Sequence, residues 1–557
     1  MTQAAMRKLT LVLVCLMVAL PASAKPRLGA IASAHPLATE AGFEVLAAGG
    51  NACDAAVAVS AALAVVEPVS SGIGGGAFYL IERRGGQALF VDARETAPAS
   101  ATRDMYLGPD GEHDRQRSLD GPLAAGIPGE PAALAHLAKR CGRLDLARNL
   151  APAIRLASEG FEPDAFHLQM TGMRKAALAA SPAAAAIFLD NGEAPKAGFR
   201  LVQKDLAAVL QRLARAGKAG FYEGETARLI VDGVNAAGGA WTADDLKHYK
   251  VVERPPLRGR YRDMDVLTAP PPSSGGVALL AALNILEGFA LDLRDAVTGK
   301  HLIVEAMRRA YRDRAEYLGD PDFVAMPIAQ LIDKNYAAGL RAGIRSDRAT
   351  PSASLPGAPA GPEGTDTTHF SVVDAHGNVV SATLSVNIPF GSGFVPPGTG
   401  ILLNDEMDDF SAKEGSPNTY GLIGAHANAI APGKRPLSSM TPTILRRGDT
   451  MAVLGTPGGS RIISMVLLGT LEFAAGNDDP AAWVSVGRYH HQFWPDVIEY
   501  EPQGLTDTDR AGLERLGHTL KPVDRRYGNM QAIAWRPASG AMSAASDPRR
   551  QGSAQVR

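Results

Sequence analysis

Thr367-Thr368-His369-Phe370-Ser371-Val372-Val373-Asp374 is followed by Ala375-His376-Gly377-Asn378 and then by Val379-Val380-Ser381-Ala382-Thr383-Leu384-Ser385-Val386-Asn387. Two β-type runs flanking the turn-rich Asp374 to Asn378 predict a β-hairpin. If Val373 pairs with Val379, the same register sets Thr367 opposite Ser385. Period two then puts Thr367, His369, Ser371, Ser381, Thr383, Ser385 and Asn387 on one face, with Phe370, Val372, Ala382, Leu384 and Val386 on the other. By pattern alone, a face so rich in hydroxyls reads as a solvated surface.

The residues before the hairpin change that reading. Thr350 to Asp366 is a Pro/Gly/Ala/Ser stretch without hydrophobic period, which predicts an exposed loop or an interdomain linker. A threonine becomes a useful nucleophile when its own freed α-amine serves as general base, and that requires cleavage immediately before it. A loop ending at Asp366-Thr367 supplies the opportunity.

Downstream, Gly458-Gly459 follows the strand-like Met451 to Leu454 and precedes an apolar helix starting near Ile462. Backbone N–H groups in such a turn can stabilise an oxyanion, because glycine lets a substrate approach closely. A phosphate-binding loop would need Lys-Ser or Lys-Thr after the glycines, and neither is there. Asp405, Glu406, Asp408 and Asp409 crowd after the apolar Ile401-Leu402-Leu403. Their spacing lacks the glycine and terminal glutamate of a standard calcium loop, and a bound cation would stabilise them.

Upstream, residues 37 to 66 predict two helices broken at Gly49-Gly50-Asn51. The second, Ala52 to Val66, is apolar nearly all round and therefore belongs in a core. Gly72, Gly74 and Ala77 fit the spacing of a dinucleotide fingerprint, but the order here is helix then strand (Phe78 to Ile81), so they predict a close-packed turn. From about 130 to 345 the chain reads as mainly helical, for example Pro131 to Lys139 and Leu302 to Tyr317. Leu257 to Leu267 reads as a strand running into Pro270-Pro271-Pro272-Ser273-Ser274-Gly275-Gly276.

At the N-terminus, Arg7-Lys8, the apolar Leu9 to Leu20 and Pro21-Ala22-Ser23-Ala24 predict a signal peptide cleaved before Lys25; the apolar run is too short for a membrane anchor. Its removal takes two basic and no acidic residues, moving the formal charge from −2 to −4. Near neutrality argues against nucleic acid or an anionic membrane as the main partner. Only Cys53 and Cys141 remain, too few for a disulfide scaffold or a cysteine-based metal site, and Cys53 reads as a small buried hydrophobe.

The Thr367 to Asp374 stretch resembles the start of the small subunit of γ-glutamyltransferases, which are N-terminal-nucleophile hydrolases. Leu403 to Ser411, Pro432 to Met440, Gly455 to Arg461 and Tyr489-His490-His491-Gln492 are similar to further family motifs and follow in the family's order. Gly49 to Ala52, Arg94-Glu95 and Ala101 to Tyr106 resemble the large subunit. The likeness covers nearly the whole mature chain.

What it implies is a four-layer αββα sandwich formed jointly by a large subunit, 25–366, and a small catalytic subunit, 367–557, cut between Asp366 and Thr367. Thr367 matches the nucleophile, and Ser385 stands where the family usually has a supporting threonine. Asn387, Glu406 and Asp409 match residues holding an α-ammonium, and Arg94, Ser438 and Ser439 match those holding an α-carboxylate, while Gly458 and Gly459 match the oxyanion turn. Glu414 to Ala425, with Tyr420, resembles a loop closing over the pocket. The implied substrates are glutathione and other γ-glutamyl amides, with water, amino acids or short peptides as acceptors, in a periplasmic or secreted enzyme with associated subunits and no cofactor or metal. The rivals are a cephalosporin or glutaryl acylase of the same superfamily and a processed but inactive binding protein. His490 and His491 read as structural. Ser546-Asp547-Pro548-Arg549 resembles the closing motif, and the rest of Arg536 to Arg557 reads as disordered.

Overall fold

The computed structural model describes residues 28–290, 296–355, 367–413 and 425–557. The signal segment, Asp366 and Tyr420 lie outside the described residues, as does all of the expected lid except Ala425.

The hairpin forms with the expected register. Strands Thr368–Asp374 and Val379–Ser385 pair antiparallel, with Val373 opposite Val379 and Thr368 opposite Leu384, which carries Thr367 to Ser385 one step further. In chain order the strands of the described residues are β1 (Gly29–Ser33), β2 (Gly76–Arg83), β3 (Gln87–Ala93), β4 (Val252–Arg254), β5 (Leu257–Tyr261), β6 (Met264–Thr268), β7 (Thr368–Asp374), β8 (Val379–Ser385), β9 (Thr443–Arg447), β10 (Thr450–Gly455), β11 (Tyr489–His490), β12 (Ile498–Tyr500), β13 (Leu520–Pro522), β14 (Gln531–Arg536), β15 (Ala541–Ser546) and β16 (Ser553–Val556). One sheet runs β16-β1-β7-β8-β2-β3-β4, a second β15-β14-β10-β9-β6-β5, and β11-β12-β13 form a small third. Both large sheets draw strands from either side of position 367. Leu257 to Leu267 is thus two strands, broken at the Arg262-Asp263 turn.

The two large sheets pack face to face, with β10 and β14 over β7 and β10 over β8. Helices cover the outer faces. Ala52–Val66, buried along its whole length, lies on β7 and β8. Gly275–Glu287 and Arg461–Ala474 cover the second sheet. The result is the expected αββα arrangement.

The hydroxyl face of the hairpin is not solvated. It points into the layer between the sheets, where His369, Ser371, Ser381 and Thr383 are wholly buried. Their hydrogen bonds explain how: His369 Nδ1 lies 2.8 Å from Thr383 Oγ1, Ser371 donates to the Gln531 carbonyl at 3.2 Å, and Ser381 donates to the Leu454 carbonyl at 3.3 Å. A buried hydroxyl is tolerated when it is bonded, and here the second sheet provides the acceptors. Burial pushes the His369 imidazole down to about 3, so the ring is neutral. It fits because Gly455 faces it; a Cβ there would stand 2.2 Å from the ring.

Two further expectations are corrected. The C-terminal residues are ordered: β14 and β15 extend the second sheet, and β16 pairs with β1, Ala30 facing Val556. Unpaired edge groups of β1 find partners there, which composition could not reveal. Cys53 is not a simple hydrophobe but is bonded to Cys141, with the Cα atoms 5.9 Å apart. The link ties the first turn of Ala52–Val66 to the end of helix Glu130–Arg140, beside an Asn51 Nδ2 bond to the Cys141 carbonyl at 2.6 Å.

Candidate active site

Thr367 lies at the mouth of the hairpin, at the end remote from its turn. Gly74 and Gly75 let neighbouring backbone approach: a Cβ on Gly74 would fall 2.0 Å from the Leu402 carbonyl oxygen, and one on Gly75 2.1 Å from that of Ser385. The glycine turn after Ala52–Val66 is therefore packing, as its order of elements implied.

Asn404 joins this turn to the acidic segment. Its Nδ2 donates to the Gly74 and Gly126 carbonyls at 2.7 and 2.8 Å, and its Oδ1 accepts from the Glu406 N–H at 3.0 Å. Glu406–Asp409 then forms a single 3-10 turn. Arg94, at the end of β3, donates to Glu406 Oε2 at 2.6 Å and to Asp409 Oδ2 at 2.5 Å, while its Nε donates to the Pro436 carbonyl at 3.1 Å. Glu95 lies 3.6 Å from Arg94 Nη1, with both carboxylate oxygens buried. Arg94 thus joins the residues matched to an ammonium and those matched to a carboxylate into one network.

The electrostatics follow from this crowding. Burial works against the Arg94 charge, but Glu406, Asp409 and Glu95 together hold its pKa above the ordinary arginine value. Burial pushes Glu406 up to about 7, Arg94 opposing and Asp409 reinforcing the shift. Glu95 and Asp405 are raised well above ordinary carboxylates, again chiefly by burial.

Asn387 has φ of 79°, and its Nδ2 donates to the Asp405 carbonyl at 3.0 Å. An acceptor is then what Asn387 can offer a cation. Ser385 Oγ accepts from the Asn387 N–H at 2.8 Å.

Ser438 Oγ accepts from the Met440 N–H at 3.1 Å, and Ser439 Oγ accepts from Arg314 Nη2 at 3.4 Å. Gly458 and Gly459 have φ of 141° and 55° and lead into helix Arg461–Ala474. Among the described residues, neither glycine N–H is a hydrogen-bond donor.

One small cavity is lined by Arg94, Thr367, Ser385, Asn387, Asp409, Ser438, Ser439, Met440, Gly459 and Ile462. Of the residues singled out from sequence, Glu406 stands behind it, bonded to Arg94, and Gly458 adjoins Gly459. The larger surface hollows, including one of about 810 Å³ around Arg83, Arg258 and Trp535, hold none of them. Met440 and Ile462 were not anticipated; apolar neighbours carry no chemical signature. His490 and His491 are satisfied within the protein: His490 Nε2 lies 2.8 Å from Gln492 Oε1, and His491 Nε2 3.1 Å from Asp496.

The profile of the Gamma-glutamyltranspeptidase family matches residues 38–556. The chain belongs to the γ-glutamyltranspeptidase family. It is 44% identical over 494 residues to the glutathione hydrolase proenzyme of Pseudomonas sp. (strain A14), covering 88% of this chain and 86% of that one. It is 43% identical over 528 residues to that of Escherichia coli (strain K12), covering 94% and 90%. Among solved structures, cephalosporin acylase from Bacillus halodurans superposes with a TM-score of 0.83 at 30% identity, covering 95% of this chain and 96% of that one. The chain is thus an enzyme of a family that includes γ-glutamyl hydrolases and resembles acylases in fold.

Proposed function

We propose that this γ-glutamyltranspeptidase-family enzyme takes the γ-glutamyl group from glutathione and related amides and passes it to water or to the amine of an amino acid or short peptide. In this reading residues 1–24 are removed on export to the periplasm or medium. The chain then cuts itself between Asp366 and Thr367 into 25–366 and 367–557, which stay associated through their shared sheets.

Thr367 Oγ attacks the γ-carbonyl carbon while its new α-amine accepts the proton. The carbonyl oxygen, now an oxyanion, is met by the Gly458 and Gly459 N–H groups. Collapse expels the amine, which takes the proton, and leaves a γ-glutamyl ester on Thr367. Water or an acceptor amine releases it by the same steps in reverse. The substrate's α-ammonium lies against Asp409, Asn387 and Glu406, and its α-carboxylate against Arg94, Ser438 and Ser439.

The observation that carries this reading is one cavity lined together by Thr367, the acid Asp409 and the hydroxyls of Ser438 and Ser439. A zwitterionic head needs both; a glutaryl group offers nothing to the acids. The acylase reading is favoured by likeness to acylases, among them the Bacillus halodurans enzyme. Thr367→Ala decides the central claim. It should remain one chain on a denaturing gel and fail to turn over a γ-glutamyl anilide; two subunits from that variant in the absence of other proteases would overturn it.

A further inference from the structure

Arg314 projects from helix Ala296–Tyr317 into the protein behind Ser439 and is 4% exposed. Its Nε donates to Ser274 Oγ at 2.9 Å and its Nη2 to Ser439 Oγ at 3.4 Å. Ser274 in turn donates to the Ser438 carbonyl at 2.7 Å through Oγ and at 2.7 Å through its own N–H. Ser438 N–H donates to the Pro272 carbonyl, and Ser273 Oγ to that of Met440. The Pro270 to Gly276 segment, to which the reaction gives no role, thus lies along the back of Ser438 to Met440.

A buried guanidinium is costly unless an anion faces it. Among the described residues no carboxylate is within ion-pair distance of Arg314, and Asp409 acts on it only through space. Both serine oxygens already accept from the protein, so their protons are the groups left to point into the cavity. Burial lowers Arg314 to about 10, with Tyr311 and Asp409 opposing, which keeps it charged at neutral pH.

We infer that Arg314, braced by Ser274, is a positioning residue for carboxylate recognition: it fixes the Ser439 hydroxyl as a donor and adds the positive potential that the substrate's α-carboxylate completes. This rests on the γ-glutamyl reading, with Ser438 and Ser439 facing the carboxylate.

The test compares kcat/KM for γ-glutamyl p-nitroanilide with that for 4-aminobutanoyl p-nitroanilide, which keeps the ammonium and lacks the carboxylate. Arg314→Met, assayed as processed enzyme, should lose roughly ten-fold or more on the first substrate, mainly through KM, and little on the second. Arg314→Lys keeps the charge but cannot reach both serines, so it should give an intermediate ratio. Equal losses on the two substrates, or an unchanged ratio in both variants, would overturn the inference. If Arg314→Met yields no processed enzyme, the Arg314→Lys ratio decides, and an unchanged value again overturns it. A wild-type enzyme indifferent to the carboxylate would instead refute the γ-glutamyl head-group reading.

Discussion

The two walls of the cavity handle charge in opposite ways. On the acidic wall, Glu406 and Asp409 are already paired with Arg94, so an incoming ammonium competes for carboxylates in use. On the hydroxyl wall, Ser438 and Ser439 accept from within and keep their protons for a ligand. Asn428 couples the two, its Nδ2 donating to the Asp409 carbonyl at 2.7 Å and its Oδ1 accepting from Leu437 N–H at 3.0 Å. A stored ion pair gives selectivity by exchange; free donors give it by addition.

The sharpest way to break this contrast is Asp409→Asn. Asp409 is the acid that lines the cavity and is 12% exposed, whereas Glu406 is 1% exposed behind it. A charge-assisted bond to an ammonium contributes roughly 1.5 to 3 kcal/mol, so kcat/KM on a γ-glutamyl anilide should fall about ten-fold to a hundred-fold or more. Glutaryl compounds should change little, because they bring no ammonium for Asp409 to meet. Equal losses on both, in processed enzyme, would make Asp409 a structural member of the Arg94 network only.

A smaller effect separates the walls by pH. Glu406 is raised from 4.5 to about 7, chiefly by burial. Between those values the native chain holds a proton that the unfolded chain has released, so this group's contribution to stability falls as pH rises from 4.5 towards 7. An ammonium favours the ionised form, so KM for γ-glutamyl substrates should rise as pH drops below 7. Glu406→Gln should flatten both trends when melting temperature and KM are followed from pH 5 to 8, and unchanged slopes would assign them to other groups. The hydroxyl wall, with no carboxylate, supplies no such dependence.

How much of this was legible depends on how local the cause is. The Val373–Val379 register and the bounds of Ala52–Val66 follow from periodicity, turn length and the Asn51 cap, so sequence reached them. The burial of Ser371 and Ser381 did not follow, because their acceptors are carbonyls of Gln531 and Leu454, far along the chain. The Cys53–Cys141 bond joins residues 88 positions apart, and two cysteines alone do not say whether they meet. The site residues were found through motif likeness, but the Arg94 pairing across 312 and 315 positions was not. Arg314 left one trace: helical spacing sets it with Met307, Ala310 and Tyr311 on the buried face of its helix, an odd place for a charge.

The finest test of the acidic wall is Ser385→Thr. Ser385 lines the same cavity as Asp409 and stands opposite Thr367. Across the ladder Ser385 faces Gly76, which has no side chain of its own and has the Glu95 carboxylate beyond it. A β-branched residue is stiffer about χ1, so the hydroxyl that accepts from Asn387 N–H would be held with less rotamer freedom. A gain of up to about three-fold in kcat, with KM and the glutamyl-over-glutaryl preference unchanged, is expected from so small an entropic term. A ten-fold loss would show instead that the serine is needed for its size, and that the acidic wall and the nucleophile are packed too closely at this point to accept one more carbon.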